Sequence, residues 1–193
     1  MTQPQTNDEQ LLHELRAGKE AAFRELYAQY QGVLFRFALH LTGSAATAED
    51  ITHDVFIQLI SKRGSYKAIK GPLSAYLFGI TRNLARASAR GTHANRALDD
   101  VAEADIPVLS DAELIDCLTG SQTLDSLRTA LLALPELYRE VVVLCDLEEM
   151  SYADAATVLE CSAGTIASRL HRAHNLLRAK LVSKNRKTAH DRR

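Results

Sequence analysis

The chain has 193 residues, 46% of them hydrophobic and 24% charged, which suits one large or two small globular domains and excludes wholesale disorder or a fibrous repeat. Its formal net charge is only −1, a total that by itself speaks against a polyanionic partner. The total conceals blocks: residues 55–98 carry eight basic side chains and no acid, and residues 163–193 carry nine basic and one acidic, so each block is net +8 and suited to nucleic acid or another polyanion.

Helical periodicity dominates and no hairpin signal is present. Asp8 is placed to cap a short helix ending before Gly18. A second helix, Glu20 to Leu41, carries Phe23, Leu26, Tyr27, Tyr30, Leu34 and Phe37 at helical spacing, and Thr42, Gly43 and Ser44 break it. A third, about Ala45 to Lys62, repeats Ile51, Val55 and Leu59 every four residues and stops at Gly64. Gly71 and Pro72 open a fourth, where Leu73, Leu77, Ile80 and Leu84 share one face and Arg82, Arg86 and Arg90 line the other. No acid in this helix lies within reach of those arginines, so they are expected to meet phosphates.

From Gly91 to about Gln122 the periodicity fades, and seven acids, Pro107 and small residues take over. The segment is expected to be an acidic flexible linker, with a short helix around Asp111 to Leu118. A tether kept soluble by charge and a polyanion mimic are equally compatible with it.

Beyond the linker, Leu124, Leu127, Leu131 and Leu134 form an apolar stripe, and Leu134-Pro135-Glu136 restarts a helix that runs on through Val141 to Leu147. Ser151 caps a short helix to Leu159; Glu160 to Ser162 form a turn, and a long helix covers about Ala163 to Val182. That is helix-turn-helix spacing. In the long helix Ile166, Leu170, Ala173 and Leu177 form the buried stripe. Thr165, Ser168, His171, Arg172 and Asn175 occupy the other side, where short polar groups and a guanidinium can reach base edges in a major groove. Arg169, at the border, is placed for a phosphate. A merely solvated amphipathic face is the competing account of the same residues.

The expected fold class is therefore all-α, with two small helical domains, residues 1–91 and 123–193, joined by linker 92–122. No apolar run approaches the roughly 20 residues that span a bilayer, and Met1 to Gln10 lacks a secretory hydrophobic segment, so a cytoplasmic protein without direct membrane insertion is expected. Cys117, Cys145 and Cys161 are odd in number and lack C-x-x-C spacing, so each is expected to be a small buried hydrophobe rather than part of a disulfide framework. Cys161, His171 and His174 lie near one another in sequence, but no converging ligand geometry follows from their spacing, and no metal site is assigned. No phosphate-cradling glycine loop, nucleophile elbow or paired-carboxylate motif is visible, so no enzymatic activity, catalytic residue or cofactor is expected.

The ordered segments together resemble the extracytoplasmic-function (ECF) group of the sigma-70 family, sigma factors of bacterial RNA polymerase. In the first module Ala48-Glu49-Asp50-Ile51-Thr52-His53-Asp54-Val55-Phe56 is similar to the family's polymerase-binding helix, and Tyr76-Leu77-Phe78-Gly79-Ile80-Thr81-Arg82-Asn83-Leu84-Ala85 to its promoter-melting helix. In the second, Leu134 to Val141, Ser151 to Ala156 and Gly164 to Ala173 match in order. The resemblance implies three partners: core RNA polymerase, promoter DNA and an anti-sigma factor. It also implies that Asp50 and Asp54 meet the polymerase, that Arg82 and Asn83 contact the melted −10 strand, and that Arg86 and Arg90 hold its phosphates. Tyr66, in the loop before the melting helix, is the expected stacking residue. Thr165, Ser168, Arg169, His171 and Arg172 become the −35 duplex contacts. His53, Tyr76, Ala155, Ala167 and His174 depart from the family pattern, the last two at positions often basic in relatives, so no promoter sequence is transferred. A stand-alone helix-turn-helix regulator is the alternative, but it leaves the Arg82, Arg86, Arg90 stripe without a purpose.

Overall fold

The computed structural model describes residues 4–61, 66, 71–92 and 122–190, with side chains placed at 8–61, 66, 71–89, 124, 126–181. All regular structure among the described residues is helical: α1 (Pro4–Arg16), α2 (Glu20–Thr42), α3 (Ala45–Ser61), α4 (Leu73–Thr92), α5 (Gln122–Leu132), α6 (Glu136–Val142), α7 (Tyr152–Leu159) and α8 (Ala163–His190). Helix α6 widens into a π turn over Val143–Leu147. The acidic segment 93–121, its expected short helix and Cys117 lie outside the described residues.

Helices α1 to α4 form the first module around α2, which packs on α1, α3 and α4. The α2 stripe Leu26, Tyr30, Leu34 and Phe37 is buried against Val55 and Leu59 of α3 and Leu73 and Leu77 of α4, which belong to the same core. Phe37 meets Phe78 of α4 edge to face, with ring centroids 5.0 Å apart. Helix α1 begins at Pro4, so Asp8 is not its cap. Asp8 lies buried one turn inside, where its carboxylate accepts from the Tyr30 hydroxyl at 2.5 Å and from Gln29 Nε2 at 3.2 Å. Burial, then the bond to Asp8, pushes the Tyr30 hydroxyl pKa up.

The second module is a helix-turn-helix backed by α5 and α6. Ser151 caps α7 by accepting from the Asp154 amide at 3.1 Å. Helix α7 ends on Glu160 in a left-handed conformation (φ 54°), and the Cys161 amide reaches back to the Ala156 carbonyl at 3.1 Å. Ser162 then accepts from the Thr165 amide at the start of α8. Ile166, Leu170, Ala173 and Leu177 are buried as expected. The expected stripe is buried only in its second half: Leu131 of α5 and Leu134 just beyond it are enclosed, whereas Leu124 is 64% exposed. Leu124 lies in the first turn of the helix. Cys145 and Cys161 are half-buried free thiols rather than fully enclosed ones, and burial pushes the Cys145 pKa up to about 11.

The two modules touch. Helix α4 packs on α7, and α2 packs on α5 and α6. Gly43 ends α2 at φ 73°, and a Cβ there would come within 3.0 Å of Leu132 Cδ1, so both backbone conformation and close approach call for glycine. Half-buried His40 of α2 is held below the ordinary histidine pKa by burial and then by the charges of Arg128 on α5 and Arg36. Because the folded chain keeps His40 neutral, the unfolded chain binds the extra proton, and stability is lost as pH falls below about 6.5 toward the depressed value. The urea midpoint is expected to drop between pH 7.5 and 5.5, and His40→Gln to flatten that drop; an unchanged slope in the variant would contradict it.

Candidate nucleic-acid and polymerase interfaces

Helix α8 brings the duplex-reading candidates onto one face. At about 100° per residue, Ser168, Arg172, Thr165 and Arg169 fall in sequence around the side opposite Ile166 and Leu170, with His171 at the edge. Ser168, His171 and Arg172 are exposed, and Thr165 and Arg169 half-buried. Several are already oriented. The Thr165 hydroxyl lies 2.8 Å from Ser162 Oγ, Ser168 donates to the Thr165 carbonyl at 3.0 Å, and His171 Nε2 lies 3.3 Å from Asn175 Nδ2. Arg169 Nη1 approaches Cys161 Sγ at 3.8 Å, which fixes the guanidinium beside the turn. His174 Nε2 lies 2.6 Å from Asp146 Oδ2, tying α8 to the π turn. His174 and Cys161 are therefore engaged separately, and among the described residues no cluster of three or more metal-ligating side chains forms.

Asp50 and Asp54 are both exposed on α3, one turn apart. Nearby, Phe23, Tyr27 and Phe56 form an aromatic cluster, with Tyr27 and Phe56 centroids 4.7 Å apart. Tyr66 is half-buried: its ring lies 5.5 Å from that of Tyr76, and its hydroxyl donates to the Gly71 carbonyl at 3.0 Å. Its pKa is raised by burial and then by Glu9 and Asp8.

The melting-strand candidates are divided. Asn83 is exposed on α4, and the side chain of Arg90 lies outside the described residues. Arg82 is only 8% exposed, and its Nε donates to Glu140 Oε1 at 2.8 Å. Arg86 Nε also approaches Glu140 Oε1, at 2.9 Å, while Arg86 Nη2 donates to Glu140 Oε2 at 3.2 Å and Arg86 Nε to Glu136 Oε1. Helix α4 lacks an acid of its own, but α6 supplies two. Burial pushes the Glu140 carboxyl above the usual carboxylate range, against the opposing pull of the Arg82 hydrogen bond and of the Arg82 and Arg86 charges.

Sequence reasoning missed this cluster and its neighbours. Arg139 of α6 donates to the Leu41 carbonyl at 2.6 Å and to the Leu132 and Leu134 carbonyls at 2.8 and 3.0 Å. Arg36 of α2 donates to Glu148 at 3.2 Å. A signal was available: Arg82 and Arg86 are spaced i, i+4, as are Glu136 and Glu140, so two helices present matched doublets of opposite sign.

Residues 26–94 match the family model for Sigma-70 region 2, and residues 124–177 that for Sigma-70, region 4. The chain belongs to the ECF sigma factors of the sigma-70 family. It is 32% identical over 145 residues to the ECF RNA polymerase sigma factor EcfG of Rhodopseudomonas palustris, covering 75% of this chain and 77% of that one. It is 30% identical over 167 residues to the ECF sigma factor SigL of Mycobacterium tuberculosis, covering 86% and 92%. Against SigE of Mycolicibacterium smegmatis, at 32% identity over 167 residues, it covers 86% of its own length but spans 63% of that longer sigma factor. Among solved structures it resembles CnrH in complex with the cytosolic domain of CnrY, at a TM-score of 0.69 and 25% identity over 92% of this chain and 98% of that one. It also resembles the sigma factor RpoE in complex with the anti-sigma factor NepR from Bartonella quintana, at 0.63 and 29% over 82% and 96%. Sigma factors are DNA-binding initiation factors rather than enzymes. Among the described residues no helix is long and apolar enough to cross a membrane.

Proposed function

We propose that this sigma factor directs core RNA polymerase to its promoters in the cytoplasm, with residues 1–91 binding polymerase and the −10 element, residues 92–122 linking, and residues 123–193 binding the −35 element. The observation that carries it is the region 2 match followed by the region 4 match, with exposed polar side chains along α8 opposite its buried stripe. Asp50 and Asp54 contact the polymerase. Arg82 and Asn83 contact the melted −10 strand, Arg86 and Arg90 hold its phosphates, and Tyr66 stacks beside it. Thr165, Ser168, His171 and Arg172 read the −35 duplex while Arg169 holds its backbone. An anti-sigma protein is a further partner, supported by the likeness to RpoE in complex with the anti-sigma factor NepR.

Arg172→Ala is expected to weaken promoter binding by about 1–3 kcal/mol and to relax preference at one −35 position in a binding-site selection experiment. Equal loss on every sequence would make Arg172 a phosphate contact instead. Asn83→Ala is expected to slow strand opening more than it weakens closed-complex binding, because unstacking a base costs a few kcal/mol that its contacts must offset. Permanganate reactivity of unpaired thymines reports the first step and competitor-sensitive binding the second. Equal effects on both would remove Asn83 from strand capture.

A further inference from the structure

The acids of α6 occupy the guanidinium groups that the function proposed above assigns to DNA. Arg82 is buried on Glu140, which is itself wholly enclosed, and Arg86 is shared between Glu136 and Glu140. A carboxylate and a phosphate compete for the same planar donors, so an arginine engaged in this way is withdrawn from nucleic acid. Among the described residues the modules also meet through Leu132 against Gly43, Thr157 against Gly71, the Arg139 bond to the Leu41 carbonyl, and a separate ion pair of Arg36 with Glu148. They bring the helices together, and the four-residue ion cluster sits where α4 meets the second module.

We propose that Glu136 and Glu140 form an intramolecular clasp that holds the two modules together in the free chain and masks Arg82 and Arg86 until the modules separate. The clasp is reversible by construction. Enclosing an ion pair contributes little net stability, since desolvation offsets most of the attraction, yet removing one partner penalises the closed form strongly by leaving the other charge buried alone. Opening returns Arg82 to water, so neutralising the acids shifts the population toward the open state. The masking consequence rests on the strand-contact role proposed for Arg82 and Arg86; the clasp itself does not.

The test compares wild type, E136Q/E140Q and the charge-matched control E20Q/E49Q, whose two sites are exposed on the first module. Small-angle scattering of the free full-length chain reads closure, and fluorescence anisotropy with a short mixed-sequence single-stranded DNA reads the arginines. E136Q/E140Q is expected to expand the chain and to bind the oligonucleotide about tenfold more tightly than the control does. A helical E136Q/E140Q with the wild-type radius of gyration would overturn the clasp. Should that variant lose helical content, E136Q alone, at a half-exposed position, decides: a smaller expansion supports the clasp and none overturns it. Expansion without tighter oligonucleotide binding would support the clasp and remove the strand-contact role. Loss of the gain on adding Arg86→Ala would support both.

Discussion

Phe37→Ala is expected to destabilise the chain by about 3–5 kcal/mol, the range for emptying an aromatic site in a packed core. Phe37 is fully enclosed on α2 and stands edge to face with Phe78 of α4. Its removal opens a void between the central helix of the first module and the helix that carries Arg82, Asn83 and Arg86. Phe37→Leu fills most of the space and is expected to cost less than about 1.5 kcal/mol. Urea unfolding followed by circular dichroism measures both. Equal losses for Ala and Leu would mean that the site relaxes, and that the α2 to α4 packing does not set the position of α4.

Arg139→Met is expected to cost about 3 kcal/mol, a lowering of Tm by about 6–12 °C. The guanidinium donates to the carbonyls of Leu41, Leu132 and Leu134, which lie at the C-terminal ends of α2 and α5 and just beyond, where helices leave acceptors unsatisfied and a positive charge is favoured. One side chain therefore closes two helix ends from different modules. Burial depresses its pKa first, with Glu136 and Glu140 opposing, a desolvation cost that these bonds must exceed. Arg139→Lys keeps the charge but places it on a single nitrogen that cannot span the same three acceptors, so it is expected to recover only part of the loss. A Met variant as stable as wild type would show that the three carbonyls are served as well by water.

Much of the helix-turn-helix was legible because its determinants are local. The Ser151 cap, the turn after Leu159 and the Ile166 stripe each follow from a few neighbouring residues, and all stand where expected. Asp8 shows how a local signal misleads: it has the chemistry of a cap, but Tyr30 and Gln29 of α2 claim it, and α1 starts earlier. Leu124 follows the periodicity of its helix yet is exposed, because periodicity marks a face and tertiary packing decides how much of that face is covered.

The charge blocks were visible, but their partners were not. Arg82 and Arg86 of the basic block 55–98 meet Glu136 and Glu140 of α6, so part of that block's charge is balanced within the chain. Sequence spacing identifies which charges share a helix face; which face meets which is decided by the packing of α4 against the second module.

Initiation activity is tested most directly by transcription reconstituted from purified core RNA polymerase, genomic DNA fragments and the full-length chain. The expected result is a limited set of discrete transcripts that require the chain, with start sites downstream of a shared sequence pair. Binding to DNA without association with core polymerase, and with no transcript dependent on the chain, would contradict the account.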